Sequence, residues 1–208
     1  WFARLNDTPN HQDYAYFVKL LRLPLEPESD FGASSSNASK PTGNVTNDGA
    51  RAFYHAGDLT IGTDWDVAAD ESIVVLVDGN VNVSAQTSVA EGGFLMIVAS
   101  GNVIFSPDLG HDDATLESAV VEGVFVADGQ IMTPSRGEAG GGDRKFVGEG
   151  TFVGWSGFVL ERDFDDGLGR RRFNNTNPVE YFRYRPDLLK NAPDEIKRPQ
   201  YSWREINP

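Results

Sequence analysis

The chain has 208 residues, 39% of them hydrophobic, and its 31 acidic and 18 basic side chains give a net charge of −13. An acidic chain repels phosphate groups, which argues against nucleic-acid binding and against docking on an anionic membrane. There is no cysteine, which excludes disulfide scaffolds, thiolate metal sites and cysteine nucleophiles. No apolar stretch approaches the roughly 18 residues of a membrane helix, so we predict no direct membrane span in this segment.

Residues 1–50 are predicted to form an N-terminal arm, a cap and a linker. Between Asp13 and Leu25 the apolar residues recur at a helix-like spacing, and Pro24 would end a helix there. This pattern predicts a short helix or an extended arm that lies on the start of the following fold. Residues 29–47 are rich in Ser, Asn, Gly and Thr, a composition typical of a linker or a flexible loop.

Residues 51–164 contain a repeat of five segments, each aligned on a glycine, and the last two intervals are longer than the first two. The glycines are Gly57, Gly79, Gly101, Gly129 and Gly157. Two columns of this alignment are apolar in every copy, as inward-facing positions of stacked strands should be. Two residues after the glycine stand Leu59, Val81, Val103, Ile131 and Val159. Four residues before it stand Phe53, Val75, Ile97, Phe125 and Val153.

The repeat predicts an all-β fold: a parallel β-helix (solenoid) of about five rungs over residues 51–164, with N- and C-terminal caps on its open ends. Strand-like segments such as Ser72–Asp78 and Phe94–Ala99 recur without a helical pattern between them. A βαβ fold would need a helix of about 10–15 residues in each gap, and the gap between Val83 and Phe94 is too short and too Gly-rich. An antiparallel sandwich is the alternative, because its strands also recur with turn signals.

Polar side chains follow the first four glycines directly: Asp58, Asn80, Asn102 and Gln130. Side chains of this kind can hydrogen-bond from one rung to the next, like the amide ladders of stacked identical strands. We therefore predict a hydrogen-bond ladder at this corner of the fold. Phe158 interrupts it in the fifth copy.

Charge is distributed unevenly along the chain. Between Gly57 and Ser135 there are 13 acidic residues and no lysine or arginine, whereas residues 161–208 hold 10 basic and 9 acidic ones. The acids of the middle part should repel one another, and salt should relieve that repulsion.

The densest cluster of metal-ligand side chains is Asp108, His111, Asp112 and Asp113, in a segment inserted between two repeats. Carboxylate and carbonyl oxygens are the ligands of Ca²⁺, so these residues are the candidate metal site. The calcium loop pattern Asp-x-Asp-x-Asp-Gly is absent, and we favour a solvated acidic loop. Calcium is the one cofactor that these residues suggest.

A carbohydrate-active β-helix enzyme of the glycosidase type is a second alternative. Asp78 and Asp128 share one column with Ser100 between them, which places them roughly 9–10 Å apart at the spacing of neighbouring strands. An inverting glycosidase needs two carboxyl groups about 6.5–9.5 Å apart, so the distance is borderline. Aspartate before glycine is also a common turn choice, and we favour a non-catalytic role.

Residues 165–208 are predicted to be an aromatic and basic tail that packs as a cap on its own chain or on a neighbouring one. Aromatic anchors and arginine pairs are typical of such contacts. The candidate contact residues are Arg170, Arg171, Arg172, Tyr181, Tyr184, Arg185, Tyr201 and Trp203.

Several longer stretches carry a family resemblance: residues 73–83, 91–103, 121–129, 158–163, 184–193 and 203–208. Together they resemble the C-terminal module of large, uncharacterised predicted surface proteins from candidate-phyla bacteria. The resemblance implies an extracellular or cell-surface location and a terminal place in a longer chain, and it implies no activity.

The function predicted from these observations is that of a non-catalytic, extracellular structural or adhesive module of a cell-surface protein or filament. Its expected partners are other copies of itself or other surface proteins. Carbohydrate is a further partner class, and the glycosidase-type enzyme and the calcium-dependent binding module are the alternatives.

Overall fold

The computed structural model describes residues 12–21, 37–41, 51–137, 143–164 and 176–197. Within these ranges the chain is mostly β. Its elements are α1 (Tyr14–Leu21), β1 (Arg51–Ala56), β2 (Leu59–Ile61), β3 (Trp65–Val67), β4 (Ser72–Asp78), β5 (Val81–Val83), β6 (Thr87–Val89), β7 (Phe94–Ala99), β8 (Val103–Phe105), β9 (Val121–Ala127), β10 (Ile131–Thr133), β11 (Phe146–Gly154), β12 (Phe158–Leu160), β13 (Glu180–Arg183), α2 (Pro186–Asn191) and α3 (Asp194–Lys197).

The strands divide between two parallel sheets. Sheet A has eight strands: β1, β4, β7, β9, β11 and β13 follow one another, and the pair β3–β6 joins them at β9. Sheet B has five strands in the order β2, β5, β8, β10 and β12. Pairing follows the repeat, so that Val75 lies beside Ile97, and Val81 beside Val103.

The prediction of a closed parallel β-helix is wrong. The strands form two separate parallel sheets, and the third row of strands consists of β3 and β6 alone before it merges into sheet A. The repeat misled because both layouts place parallel strands at the same regular interval along the chain. The column pattern records which residues face the core between the two sheets, and it carries no information on whether the strands close into a solenoid.

Helices cover the outer face of sheet A. All five residues from Ile73 to Val77 and all six from Phe94 to Ala99 are buried, so both faces of β4 and β7 are covered. One face packs on sheet B, while α1 packs against β4 and β7, α2 packs against β7, and α3 lies against α1. Continuous apolar runs are typical of parallel strands that are buried on both faces.

Aromatic side chains fill the later part of the core between the sheets. The ring of Phe105 from sheet B meets Phe125 of sheet A edge to face, with centroids 5.3 Å apart. Phe152 stacks on Phe125 at 5.5 Å and contacts Phe182 at 5.1 Å. Such pairs add to the stabilisation from burial. The contact between Phe152 and Phe182 extends the apolar core to β13.

The fifth repeat is shifted by one residue from the sequence alignment. Phe152, not Val153, lies beside Phe125, and Phe158, not Val159, lies beside Ile131. In the first four copies the predicted inward residues of sheet B are fully buried. The alignment on Gly157 failed because the turn after β11 is built differently, with Gly157 in the place of the ladder residue.

A close contact between β9 and β11 depends on glycine. Gly150 has a φ of +146°, and a Cβ placed there would lie 1.8 Å from the carbonyl oxygen of Gly123. No side chain can be accommodated at that distance. This pair of glycines lets β9 and β11 stay paired from Val121 beside Gly148 to Ala127 beside Gly154.

Residues 37–41 cover the first strand of sheet B. The backbone N–H of Ala38 donates to the carbonyl of Thr60 at 2.7 Å, and the indole N–H of Trp65 donates to the carbonyl of Ala38 at 3.1 Å. Ala38 is fully buried, and Lys40 forms an ion pair with Glu71 at 2.5 Å. This end of the stack is therefore closed by the chain's own segment.

Candidate functional site

The predicted hydrogen-bond ladder is present and is confirmed at every step. Asp58 accepts from the backbone N–H of Asn80 at 2.8 Å, Asn80 accepts from that of Asn102 at 2.9 Å, and Asn102 accepts from that of Gln130 at 2.8 Å. Each side-chain oxygen thus satisfies the backbone of the next repeat at the turn between the sheets. The ladder uses these polar groups to hold neighbouring repeats in register.

Replacing Asn102 by alanine should lower the free energy of unfolding by about 1–2 kcal/mol, because the Gln130 N–H loses its acceptor. Asn102→Asp keeps an oxygen at the same place and is the matched control, with a smaller expected loss. Urea denaturation measures both variants. Equal stability of Asn102→Ala and the parent would contradict a stabilising ladder.

Three acids of the candidate metal cluster are engaged in contacts within the chain. Asp108 pairs with Arg136, Asp112 pairs with Arg144 at 2.9 Å, and Asp113 accepts from the hydroxyl of Thr115 at 2.7 Å. The hydrogen bonds from Thr115 lower the pKa of Asp113.

The histidine of this cluster is also engaged. The ring Nε2 of His111 lies 2.7 Å from the carbonyl oxygen of Ser118. Among the residues that the structure describes, no group of three or more histidine or acidic side chains is placed to hold a metal ion. A calcium ion at these residues therefore stays a prediction with no positive structural support.

Arg162 fastens the loop that carries this cluster to the core, a role that the sequence did not reveal. It is only 5% exposed, and its guanidinium lies 5.0 Å from the centre of the Phe146 ring. It donates to four backbone carbonyls, those of Phe105, Ser106, Leu109 and Arg144. Burial lowers the pKa of Arg162 to about 10, so the side chain is charged at neutral pH.

The two carboxylates of the glycosidase alternative both have structural partners. Asp78 is exposed and accepts from the hydroxyl of Ser100 at 3.0 Å. Asp128 accepts from the backbone N–H of Tyr14 at 2.8 Å, at the first residue of α1. Burial raises the pKa of Asp128, while the Tyr14 N–H acts in the opposite direction. Burial also raises the pKa of Tyr14, with contributions from Tyr54 and Asp78.

Exposed acids on the early repeats predict a stability that depends on salt. Asp58, Asp64, Asp66, Asp70 and Asp78 are all exposed. Sodium chloride should therefore raise the melting temperature by a few degrees between about 0.02 M and about 0.3 M, as the Debye length shortens. Calcium and magnesium chloride at matched ionic strength separate screening from specific binding. A melting temperature that no salt changes would contradict the repulsion, and a larger rise with calcium than with magnesium would support the metal prediction.

Three of the eight predicted contact residues of the tail lie in the described part of the chain. Tyr181 lies in β13, under the guanidinium of Arg183 at 5.6 Å. Arg185 is bound within its own chain, to Glu122 at 2.7 Å and to Asp187 at 2.5 Å, while Tyr184 is 60% exposed. The others lie outside the described residues: Arg170, Arg171, Arg172, Tyr201 and Trp203.

The late end of the stack has an apolar surface, which we call the C-terminal end surface: Phe152, Phe158, Leu160, Phe182 and Tyr184. Phe158 and Leu160 are each 48% exposed, although they stand in the rows that are buried in earlier repeats. A groove of about 440 Å³ lies between β11, β12 and β13, and Phe152, Phe158, Phe182 and Tyr184 contribute to its lining. Large exposed apolar groups at the end of a core are typical of an interaction surface.

Sequence reasoning missed this surface because it aligned Phe158 with the polar residues of the ladder column. The available signal was the aromatic residue itself, since the other copies have a polar residue or an aliphatic one near that point.

No family model, no curated protein and no solved structure matches the chain. The resemblance to surface proteins of candidate-phyla bacteria therefore stays a prediction. In the part of the chain that the structure describes, no helix has the length and apolar character needed to cross a membrane.

Proposed function

We propose that the chain is a non-catalytic structural or adhesive module of an extracellular or cell-surface protein, acting through association with other copies or other surface proteins. The observation that carries this proposal is the difference between the two ends of the stack. At one end, residues 37–41 cover β2, the first strand of sheet B, through the backbone hydrogen bond from Ala38 to Thr60. The other exposes Phe158 and Leu160 beside an apolar groove.

The use of polar side chains along the repeats supports the same proposal. Asp64 accepts from the backbone of Gln86 at 2.9 Å, and Asp66 accepts from the hydroxyl of Ser88 at 2.5 Å, each from one repeat to the next. Like Asn80 in the ladder, each of these side chains accepts a hydrogen bond from the next repeat. These polar groups therefore hold the repeats together, and the two ends of the stack are left for contacts with partners.

Labelling of intact, unpermeabilised producing cells with an antibody against this chain tests the location. Surface labelling is expected, and labelling only after permeabilisation would contradict the proposal. Incubation of the purified chain with a panel of polysaccharides tests the rival enzyme. Release of reducing ends that is lost in Asp78→Asn and Asp128→Asn would overturn a non-catalytic role.

A further inference from the structure

Strand β12 is an edge strand whose outer side can accept one more parallel strand. In the described part of the chain it pairs with β10 alone. In every earlier repeat a strand of sheet A is followed by a strand of sheet B, but after β13 the chain turns away instead. Arg185 binds the carbonyl of Val89 at 2.9 Å, and α2 then packs on β7. The repeat thus ends with a strand in sheet A and without its counterpart beside β12.

The strands of sheet B share one pattern: their first and third residues face the core and the middle residue faces outward. This is so for Leu59 and Ile61 in β2, and for Val81 and Val83 in β5, all fully buried. A strand that completes β12 should therefore carry two apolar residues separated by one residue of any kind. Large side chains suit it, because they must cover Phe158 and Leu160.

The C-terminal end of the chain contains this pattern in Tyr201-Ser202-Trp203. Placed beside β12 in the parallel register of the earlier repeats, Tyr201 would stand beside Phe158 and Trp203 beside Leu160. The next pair would bring Arg204 beside Glu161, which is exposed. The match therefore includes opposite charges as well as two aromatic anchors.

Helix α3 ends at Lys197 and packs on α1, which lies against β4 and β7. A strand added to β12 would lie three strand spacings beyond β8, the sheet B strand that follows β7, which is about 14 Å further along the stack. Four residue steps from Lys197 to Tyr201 span at most about 14 Å, so pairing within one copy would need a fully extended chain. A neighbouring copy has no such limit.

We infer that residues Tyr201–Trp203 of a second copy add a strand to β12 and thereby join two copies of the chain. Backbone hydrogen bonds supply affinity, and the two aromatic side chains supply specificity, as in other cases of strand addition to a sheet edge. The inference rests on the proposed function, because it names the contact by which the module associates with itself.

Two variants of the whole 208-residue chain each disrupt one side of the contact. Tyr201→Ser/Trp203→Ser removes the donor strand's anchors, and Leu160→Asp places a charge on the acceptor edge. Leu189→Asp is the matched control, since Leu189 is 57% exposed on α2, away from β12. Sedimentation velocity across a wide concentration range gives the molar mass of each protein and of mixtures.

The parent and Leu189→Asp should associate as concentration rises, and the donor and acceptor variants should each stay monomeric. An equimolar mixture of the two variants should form a heterodimer and nothing larger, because it retains one intact tail opposite one intact edge. That rescue cannot arise from unfolded variants. A mixture that stays monomeric, or a Leu160→Asp variant that associates as the parent does, overturns the inference.

Two further outcomes also overturn it. Loss of association in Leu189→Asp would show that added charge, not the β12 edge, is responsible. A parent chain that is monomeric throughout would exclude this contact between copies, while the surface labelling described above would still decide the proposed function separately.

Discussion

Replacing Val103 by aspartate should destabilise the fold by about 4 kcal/mol or more, because a charge would be buried without a partner. Val103 is fully buried in sheet B, between Val81 and Ile131 of the neighbouring strands. In a chain of this size such a loss lowers the melting temperature by about 10 °C. Thermal and urea unfolding followed by circular dichroism measure it.

Asn82→Asp is the control for that substitution. Asn82 is the middle, outward-facing residue of the neighbouring strand β5 and is only partly buried, so the same charge should cost less than about 1 kcal/mol there. If both variants melt within a degree or two of the parent, the assignment of the inward column is wrong.

Replacing Arg162 by methionine should lower the free energy of unfolding by about 3–5 kcal/mol. The methionine fills much of the same space, but the four carbonyls that the guanidinium satisfies lose their donor. The measurement is urea denaturation together with hydrogen exchange of the loop around Leu109, which Arg162 holds at 2.7 Å. Both the global stability and the protection of that loop should fall.

Arg144→Met is the matched control for this prediction. Arg144 pairs with Asp112 at the surface, and exposed pairs contribute about 0–1 kcal/mol. Arg162→Lys should recover only part of the loss, because an ammonium cannot reach all four acceptors from one point. A loss in Arg162→Met no larger than that in Arg144→Met would refute the anchoring role.

The strands and their spacing could be predicted from the sequence, because a periodic fold repeats its local constraints. Val81 and Val103 stand one repeat apart for the same reason that their strands pair: each repeat traverses both sheets once. The amide ladder could be predicted for the same reason, since Asn80 and Asn102 meet wherever the strands are in register.

The layers around the sheets could not be predicted from the repeat. The unbroken apolar run of Phe94–Ala99 nevertheless indicates that both faces of this strand are covered, because a strand with a solvated face would not carry such a run.

The surroundings of the candidate site were beyond sequence reasoning for a different reason. Asp108 and Asp112 are paired with Arg136 and Arg144, which belong to a different loop further along the chain. Contacts across two irregular loops have no period, so the acids looked unpaired and a metal was a reasonable hypothesis. Only the folded loop shows which charges meet.

The way α2 returns across the sheet has a consequence for the order in which the chain folds. Neighbouring strands close only the short loop of a single repeat, so sheets A and B can grow by nearest-neighbour steps. The bond from Asn191 to the carbonyl of Gly93 closes a loop of 98 residues, and such distant contacts carry a larger entropic cost. We therefore expect the C-terminal helices to dock last, so that pulsed hydrogen exchange during refolding protects Phe94–Ala99 before Pro186–Asn191.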